Sequence, residues 1–158
     1  ELLGTGGTLI NNIDRFLDDD CIIMHADNYS TVNLKTLISD FDKRPAEAIG
    51  TIMSFYSENP HDCGIIVKNQ ASMLMEFYEK VSTFHGNEAS AAIFVLSKEM
   101  LNKVKQDHSN IFDLSKDLVP KFTKKMNVSF VDDVFIDIGT VDNYEMANQI
   151  EAKYILKN

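Results

Sequence analysis

The sequence has no tryptophan, only three prolines, two cysteines and seven glycines in 158 residues. Two cysteines, Cys21 and Cys63, make neither a disulfide framework nor a four-ligand zinc set, so a reducing, cytoplasmic setting is expected. With so little proline and glycine there is no Pro/Gly/Ser-rich linker, and no repeat or low-complexity tract occurs. No apolar run reaches the roughly 20 residues of a membrane span, and no basic–apolar–small pattern occurs, so no membrane partner is expected. Basic residues are in deficit as well: 15 Lys+Arg against 24 Asp+Glu give a formal charge of −9. That balance argues against a protein that tracks nucleic-acid phosphates or an anionic membrane surface. It leaves room for a polyanionic small substrate, because a divalent cation can bridge carboxylates and phosphates.

What is present is the composition of an ordinary folded domain, 44% hydrophobic and 25% charged. A chain of this length buries roughly 68–70% of its unfolded surface, enough for one core. Glycines 4, 6 and 7 open the chain and feed an amphipathic segment in which Leu9, Ile13, Phe16 and Leu17 share a helical face, stopped by Asp18, Asp19 and Asp20. Cys21–Met24 is a short continuous apolar run, the pattern of a strand buried on both faces of a parallel sheet. Asn33 is placed to cap a helix with Leu34, Leu37, Ile38 and Phe41 inward. Strands are expected at 48–53, 63–67, 73–78, 91–96, 128–131 and 134–139, with a turn at Lys68, Asn69 and Gln70 joining two of them. Ser97 is placed to cap another helix, a short helical piece is expected at 113–118, and a terminal helix follows Val141. Strands alternating with helices imply an α/β fold: a mixed, mainly parallel open sheet flanked by helices.

In open α/β sheets ligands sit at the carboxyl ends of strands. Asp27, after Cys21–Ala26, and Asp137, in Val134–Gly139, occupy such ends, and two carboxylates can share one hard cation such as Mg²⁺. Each Asp taken singly is an ordinary turn former. Leu3–Gly7 could present backbone amides to a phosphate or a base edge, but it matches neither a dinucleotide fingerprint nor an NTPase loop. On spacing alone it reads as a structural loop. Histidines 25, 61, 85 and 108 show no metal-ligand spacing, and His25 reads as a packed strand-end residue.

Taken in order, several segments resemble the sugar-1-phosphate nucleotidyltransferases. Glu1–Gly7 resembles the family's Glu-x-x-Leu-Gly-Thr-(Ala/Gly)-Gly segment, and Ile23–Asn28 its apolar strand ending in Gly-Asp. Cys63–Ile66 is similar to the Tyr-Gly-Val-Val strand, and Phe77–Val81 to Phe-x-Glu-Lys-Pro, with Val81 for the proline. Ser90–Leu96 stands for Asn-Ala-Gly-Ile-Tyr-Val-Phe, Phe112–Pro120 for Phe-Asp-x-x-x-Asp-Val-Leu-Pro, and Phe135–Tyr144 for Trp-x-Asp-Ile-Gly-Thr-Pro-x-x-Tyr. The ordered set covers essentially the whole chain, and its wording is similar to short bacterial mannose- or heptose-1-phosphate guanylyltransferases.

The resemblance implies a Mg²⁺-dependent reaction in which a sugar 1-phosphate attacks the α-phosphate of a nucleoside triphosphate. It implies Asp27 and Asp137 as Mg²⁺ ligands, Lys80 as holder of the sugar's phosphate and Glu79 as acceptor of sugar hydroxyls. Gly64 would let the sugar approach, Gly4 and Thr5 would read the base, and Ser90 stands where many members carry a sugar-contacting Asn. The family's Gly-Gly-x-Gly-Thr-Arg loop has no counterpart in residues 1–158, so the chain is expected to be the C-terminal two-thirds of one catalytic domain, inactive alone. No hexapeptide repeats occur within residues 1–158. A homo-oligomer is compatible with all of this. The competing expectation is a non-catalytic subunit that binds a sugar phosphate or nucleotide sugar.

Overall fold

The computed structural model describes residues 2–107 and 111–155, with side chains described as far as residue 150. Glu1, which opens the first family-like segment, His108 and the side chain of Ile155 lie outside the described residues. A helix, α1 (Gly4–Asn12), leads to β1 (Cys21–Met24) and the short β2 (Asn28–Ser30). After α2 (Leu34–Asp42) come β3 (Gly50–Tyr56), β4 (Gly64–Lys68), β5 (Leu74–Glu79) and β6 (Glu88–Leu96). The remainder is α3 (Lys98–Gln106), a π-helical stretch Leu114–Leu118, β7 (Met126–Phe130), β8 (Phe135–Asp137) and α4 (Val141–Ile155). No described helix is long and apolar enough to cross a membrane.

The expected caps form as local chemistry dictates. The Asn33 side chain accepts from Lys35 N–H at 3.0 Å and the Ser97 hydroxyl from Met100 N–H at 3.1 Å, each satisfying a helix-start donor that has no intrahelical partner. Between β4 and β5 the Asn69 carboxamide oxygen accepts from Ala71 N–H and Met73 N–H, both at 3.0 Å, and closes the expected turn. On α2, Leu37 and Phe41 are buried while Ile38 is exposed.

Six strands form an open mixed sheet in the order β5-β4-β6-β3-β7, with β1 also on β6. Helix α2 packs on one face with Met53, Ile93 and Val95. Residues of α1, α3 and 111–122 cover the other, against Ile52, Phe94 and Leu96. The mixed α/β sheet matches the sequence expectation, but the balance of directions does not: β3 with β7 is the one parallel pair among the described strands, and the other main-sheet pairs are antiparallel. Continuous apolar runs report burial on two faces, not strand direction. β1 also departs from expectation. It pairs only with β6 among the described strands, and its alternate residues Ile22 and Met24 are 37% and 47% exposed.

The opening glycines are helical, not a loop. Gly4 has φ +70°, and a side chain there would collide with the Phe112 carbonyl and ring; one at Gly6 would meet Ile111. Phe112 O accepts from Gly6 N–H at 2.9 Å and Gly7 N–H at 3.3 Å. The Gly6 and Gly7 amides thus bind the chain's own backbone, and Gly4 and Gly6 allow the close packing against Phe112 and Ile111.

Candidate functional site at the split edge of the sheet

Strand β6 carries two partners end to end along one edge. β1 runs beside its second half, ending with Met24 opposite Ile93, and β4 begins beside its first half, with Ile65 opposite Ala89. Between them Ser90, Ala91 and Ala92 have no partner strand on that edge among the described residues, and the sheet opens. On β6's other edge the register slips at the same level: Met53 of β3 faces the stretch from Ala91 to Ile93, a bulge in which Ala92 takes φ +50°. Bulges redirect side chains beside functional sites. The Ser90 hydroxyl steadies this one by accepting from Ala92 N–H at 3.1 Å.

A cavity of about 780 Å³ lies at the split. Just after β1 come His25 and Asp27; at the start of β4, Cys63 and Gly64; at the end of β5, Glu79 and Lys80; from the bulge, Ser90 to Ala92. Asp137 arrives on a separate ribbon. β2 and β8 pair antiparallel with Asn28 opposite Asp137, and Ile138 N–H donates to Asp27 O at 2.8 Å, so the two aspartates become neighbours. Asn28 Nδ2 donates to Ala91 O at 3.3 Å and the Phe55 and Phe135 rings meet at 4.6 Å, fastening the ribbon to the main sheet. Asp137 Oδ1 accepts from Gly139 N–H at 2.8 Å, and Asn143 Nδ2 donates to Asp137 O at 2.8 Å.

The other groups are set by equally local means. Gly64 is opposite Glu79, and a Cβ at Gly64 would lie 2.6 Å from Glu79 Oε2 and run into the Phe77 ring, so the bare backbone makes room for this chain's own carboxylate. Burial raises the Glu79 carboxyl above its ordinary value; Lys80 opposes the shift, Asp113 adds to it, and Lys116 and His25 oppose it. Lys80 follows β5 with φ +51°, its N–H donating to Cys63 O at 3.2 Å, and it is the one lysine or arginine among the described residues lining the cavity. Asp117 caps the neighbouring turn: N–H groups of Asp113 and Phe112 hold its carboxyl below the ordinary range.

Asp27, Asp137, Glu79, Lys80, Gly64 and Ser90 therefore share one cavity. Gly4 and Thr5 do not; they line a second, mostly apolar cavity of about 1160 Å³ with Phe16, Ile22, Met24 and Phe112. The Thr5 hydroxyl accepts from Leu114 N–H at 3.0 Å. Sequence reasoning missed Asn28, whose amide ties the ribbon to Ala91 O, and Asn143, whose amide holds Asp137 O; their only signal was an Asn following or closing an Asp-bearing turn. It also missed the bulge at Ala92.

The donor set suits one kind of cation. No group of three or more His, Cys, Asp or Glu that could hold a metal occurs among the described residues. Two exposed carboxylates in a cavity that also holds one lysine fit a hard cation that keeps water and phosphate in most of its coordination sphere, as Mg²⁺ does, and do not make an all-protein cage.

The chain aligns with known proteins over nearly its whole length. It is 24% identical to the glucose-1-phosphate adenylyltransferase of Thermotoga neapolitana, covering 92% of this chain and 37% of that enzyme. It is 27% identical to "Probable mannose-1-phosphate guanylyltransferase 3" of Arabidopsis thaliana, over 91% of this chain and 44% of that protein. The chain thus spans about two-fifths of the curated relatives it matches. The crystal structure of HddC from Yersinia pseudotuberculosis superposes with a TM-score of 0.69 at 24% identity, covering 93% of this chain and 62% of that one, and shares its fold. The family model for nucleotidyl transferases matches residues 1–153, and the chain belongs to that family.

Proposed function

We propose that the protein transfers a nucleotidyl group from a nucleoside triphosphate to a sugar 1-phosphate, releasing pyrophosphate and forming a nucleotide sugar. The observation that carries this reading is the convergence of Asp27, Asp137, Glu79 and Lys80 on one cavity from three separate strand ends. In this reaction a phosphate oxygen of the sugar 1-phosphate bonds to the α-phosphorus as the bond to the departing pyrophosphate breaks. Both reactants are anions, so the task is to offset charge and align them, not to move protons. Lys80 holds the sugar's phosphate through a charge-assisted hydrogen bond, and Glu79, over Gly64, accepts from sugar hydroxyls. The bulge presents Ser90 toward the same sugar. Asp27 and Asp137 would hold Mg²⁺, which supplies charge neutralisation between the phosphates when bound.

Guanylyl transfer to a mannose- or heptose-type 1-phosphate is the first combination to test, with thymidylyl, cytidylyl and adenylyl donors beside it. The test measures pyrophosphate release by the whole protein for a panel of sugar 1-phosphates and triphosphates, with and without Mg²⁺. Turnover of at least one pair, abolished by chelation, is expected. A folded protein that releases pyrophosphate with no pair overturns the reading; if it still binds a nucleotide sugar, the protein is a binding subunit instead.

A further inference from the structure

Lys80 opens the loop that joins β5 to β6, and its backbone lies in the left-handed region at φ +51°. That conformation costs an L residue energy and persists only where its surroundings hold it. Much of the loop is loosely held. Ser82, Thr83 and Phe84 are exposed, Phe84 by 65%, and at Gly86, with φ +129°, a side chain would meet nothing within 4 Å. The His85 ring stacks on Tyr78 with 3.6 Å between centroids, which holds the far half. The near half is gripped by the connection from β3 to β4, residues 57–63. β3 and β4 lie on either side of β6 and both run antiparallel to it, so this connection must cross β6 beside the smaller cavity. It meets the loop at both ends. Ser57 N–H donates to Asn87 O at 2.9 Å, Lys80 N–H donates to Cys63 O at 3.2 Å, and His61 Nδ1 lies 3.3 Å from Val81 O.

The connection is firm enough to act as an anchor because it is bonded within itself. Asn59 N–H donates to the Ser57 hydroxyl at 3.1 Å, and Asp62 N–H donates to Asn59 O at 3.2 Å. A carbonyl oxygen only accepts, so the His61 ring carries a proton on Nδ1 and donates it to Val81 O. Lys80 is thereby bracketed, its own N–H held by Cys63 and the next residue's carbonyl by His61. We propose that His61 is a positioning residue for Lys80, fixing the backbone just beyond it so that the lysine keeps its place in the cavity. His61 does not line that cavity, whereas Lys80 does, so its effect passes through the lysine and not through contact with substrate. Without the bond to Val81, the chain after Lys80 is free to relax out of the left-handed region and carry the ammonium with it. This deepens the functional reading above and rests on it, since there Lys80 holds the phosphate of the sugar.

The experiment measures pyrophosphate release by the whole protein, beginning with mannose 1-phosphate and GTP and continuing through the panel above to the pair turned over fastest. His61→Ala should raise the Michaelis constant for the sugar 1-phosphate about three- to tenfold, the worth of one uncharged hydrogen bond, and leave that for the triphosphate unchanged. His61 is exposed, so the melting temperature should stay close to wild type. His61→Asn, whose amide nitrogen stands about where Nδ1 does, should keep the constant within about twofold of wild type. Added to Lys80→Ala, His61→Ala should change nothing further, because no lysine is left to position. An unchanged constant in His61→Ala, equal rises for both substrates, or a further rise of the same size on the Lys80→Ala background overturns the inference and makes His61 an ordinary surface residue. If the wild type releases no pyrophosphate with any substrate pair, the functional reading itself falls, and this inference with it.

Discussion

Replacing Asp137 by asparagine separates what its charge does from what its shape does. Its Oδ1 accepts from Gly139 N–H at 2.8 Å, and its backbone carbonyl accepts from Asn143 Nδ2 at 2.8 Å. Both bonds survive in Asp137→Asn, because a carboxamide oxygen also accepts. The β2–β8 ribbon and the turn into α4 should keep their geometry, and the melting temperature should stay close to wild type. Asp137→Ala loses the Gly139 bond as well and should cost about 1 kcal/mol of stability. Activity should respond differently. If the charge shares Mg²⁺ with Asp27, losing it removes transition-state stabilisation of about 3 kcal/mol, or about a hundredfold in rate. The two variants should thus be similarly slow and unequally stable. Initial rates of pyrophosphate release across a Mg²⁺ titration, beside melting curves, make the measurement. Near-wild-type turnover of Asp137→Asn at limiting Mg²⁺ would refute the metal role. Equal stability losses in both variants would refute the account of the turn.

Lys80→Ala should raise the Michaelis constant for the sugar 1-phosphate about ten- to a hundredfold, the worth of a charge-assisted contact, with little change for the triphosphate; equal effects on both substrates would remove Lys80 from this role. Ala92 sits at φ +50°, where a side chain is strained, so Ala92→Gly should raise stability by up to about 1 kcal/mol. Ala92→Val should lower it by about 2 kcal/mol, since a branched Cβ tolerates that region worst; a melting temperature for the valine variant equal to wild type would contradict the bulge geometry. Burial raises the folded-state carboxyl of Glu79 above its unfolded value, so the folded chain holds this proton longer. Stability therefore falls as pH rises through the window from the ordinary carboxylate range to the raised value. Glu79→Gln should abolish that fall and melt higher than wild type above the window, and melting curves from about pH 4 to about pH 7 check it.

The candidate site was legible in pieces. Asp27 and Asp137 could be picked out because each follows a short apolar run, and strand ends are where open sheets bind ligands. Lys80 and Glu79 stand out only beside a family pattern, since a charged pair after a strand is usually a solvated edge. His25 reads from the sequence as a packed strand-end residue, and nothing local signals that its Nε2 is buried with no hydrogen-bond partner among the described residues. The opening glycines read from their spacing as a structural loop, yet they are helical and accommodate Phe112, Ile111 and Asp113, roughly a hundred residues downstream. No local pattern encodes a contact of that range.

The sequence by itself determined where α2 and α3 begin and that Leu37, Phe41, Met100, Leu101 and Val104 turn inward. Those choices rest on caps such as Asn33 and Ser97, on the Asn69 turn, and on runs of apolar residues within a few positions of one another. They also carried the order of motifs that points to the nucleotidyl transferases. Only the tertiary structure decided strand direction, the exposure of β1, the bulge at Ala92 and the meeting of Asp27 with Asp137 on the β2–β8 ribbon. Each of these depends on which strand lies beside which, and backbone pairing between distant segments leaves no periodic mark on either one.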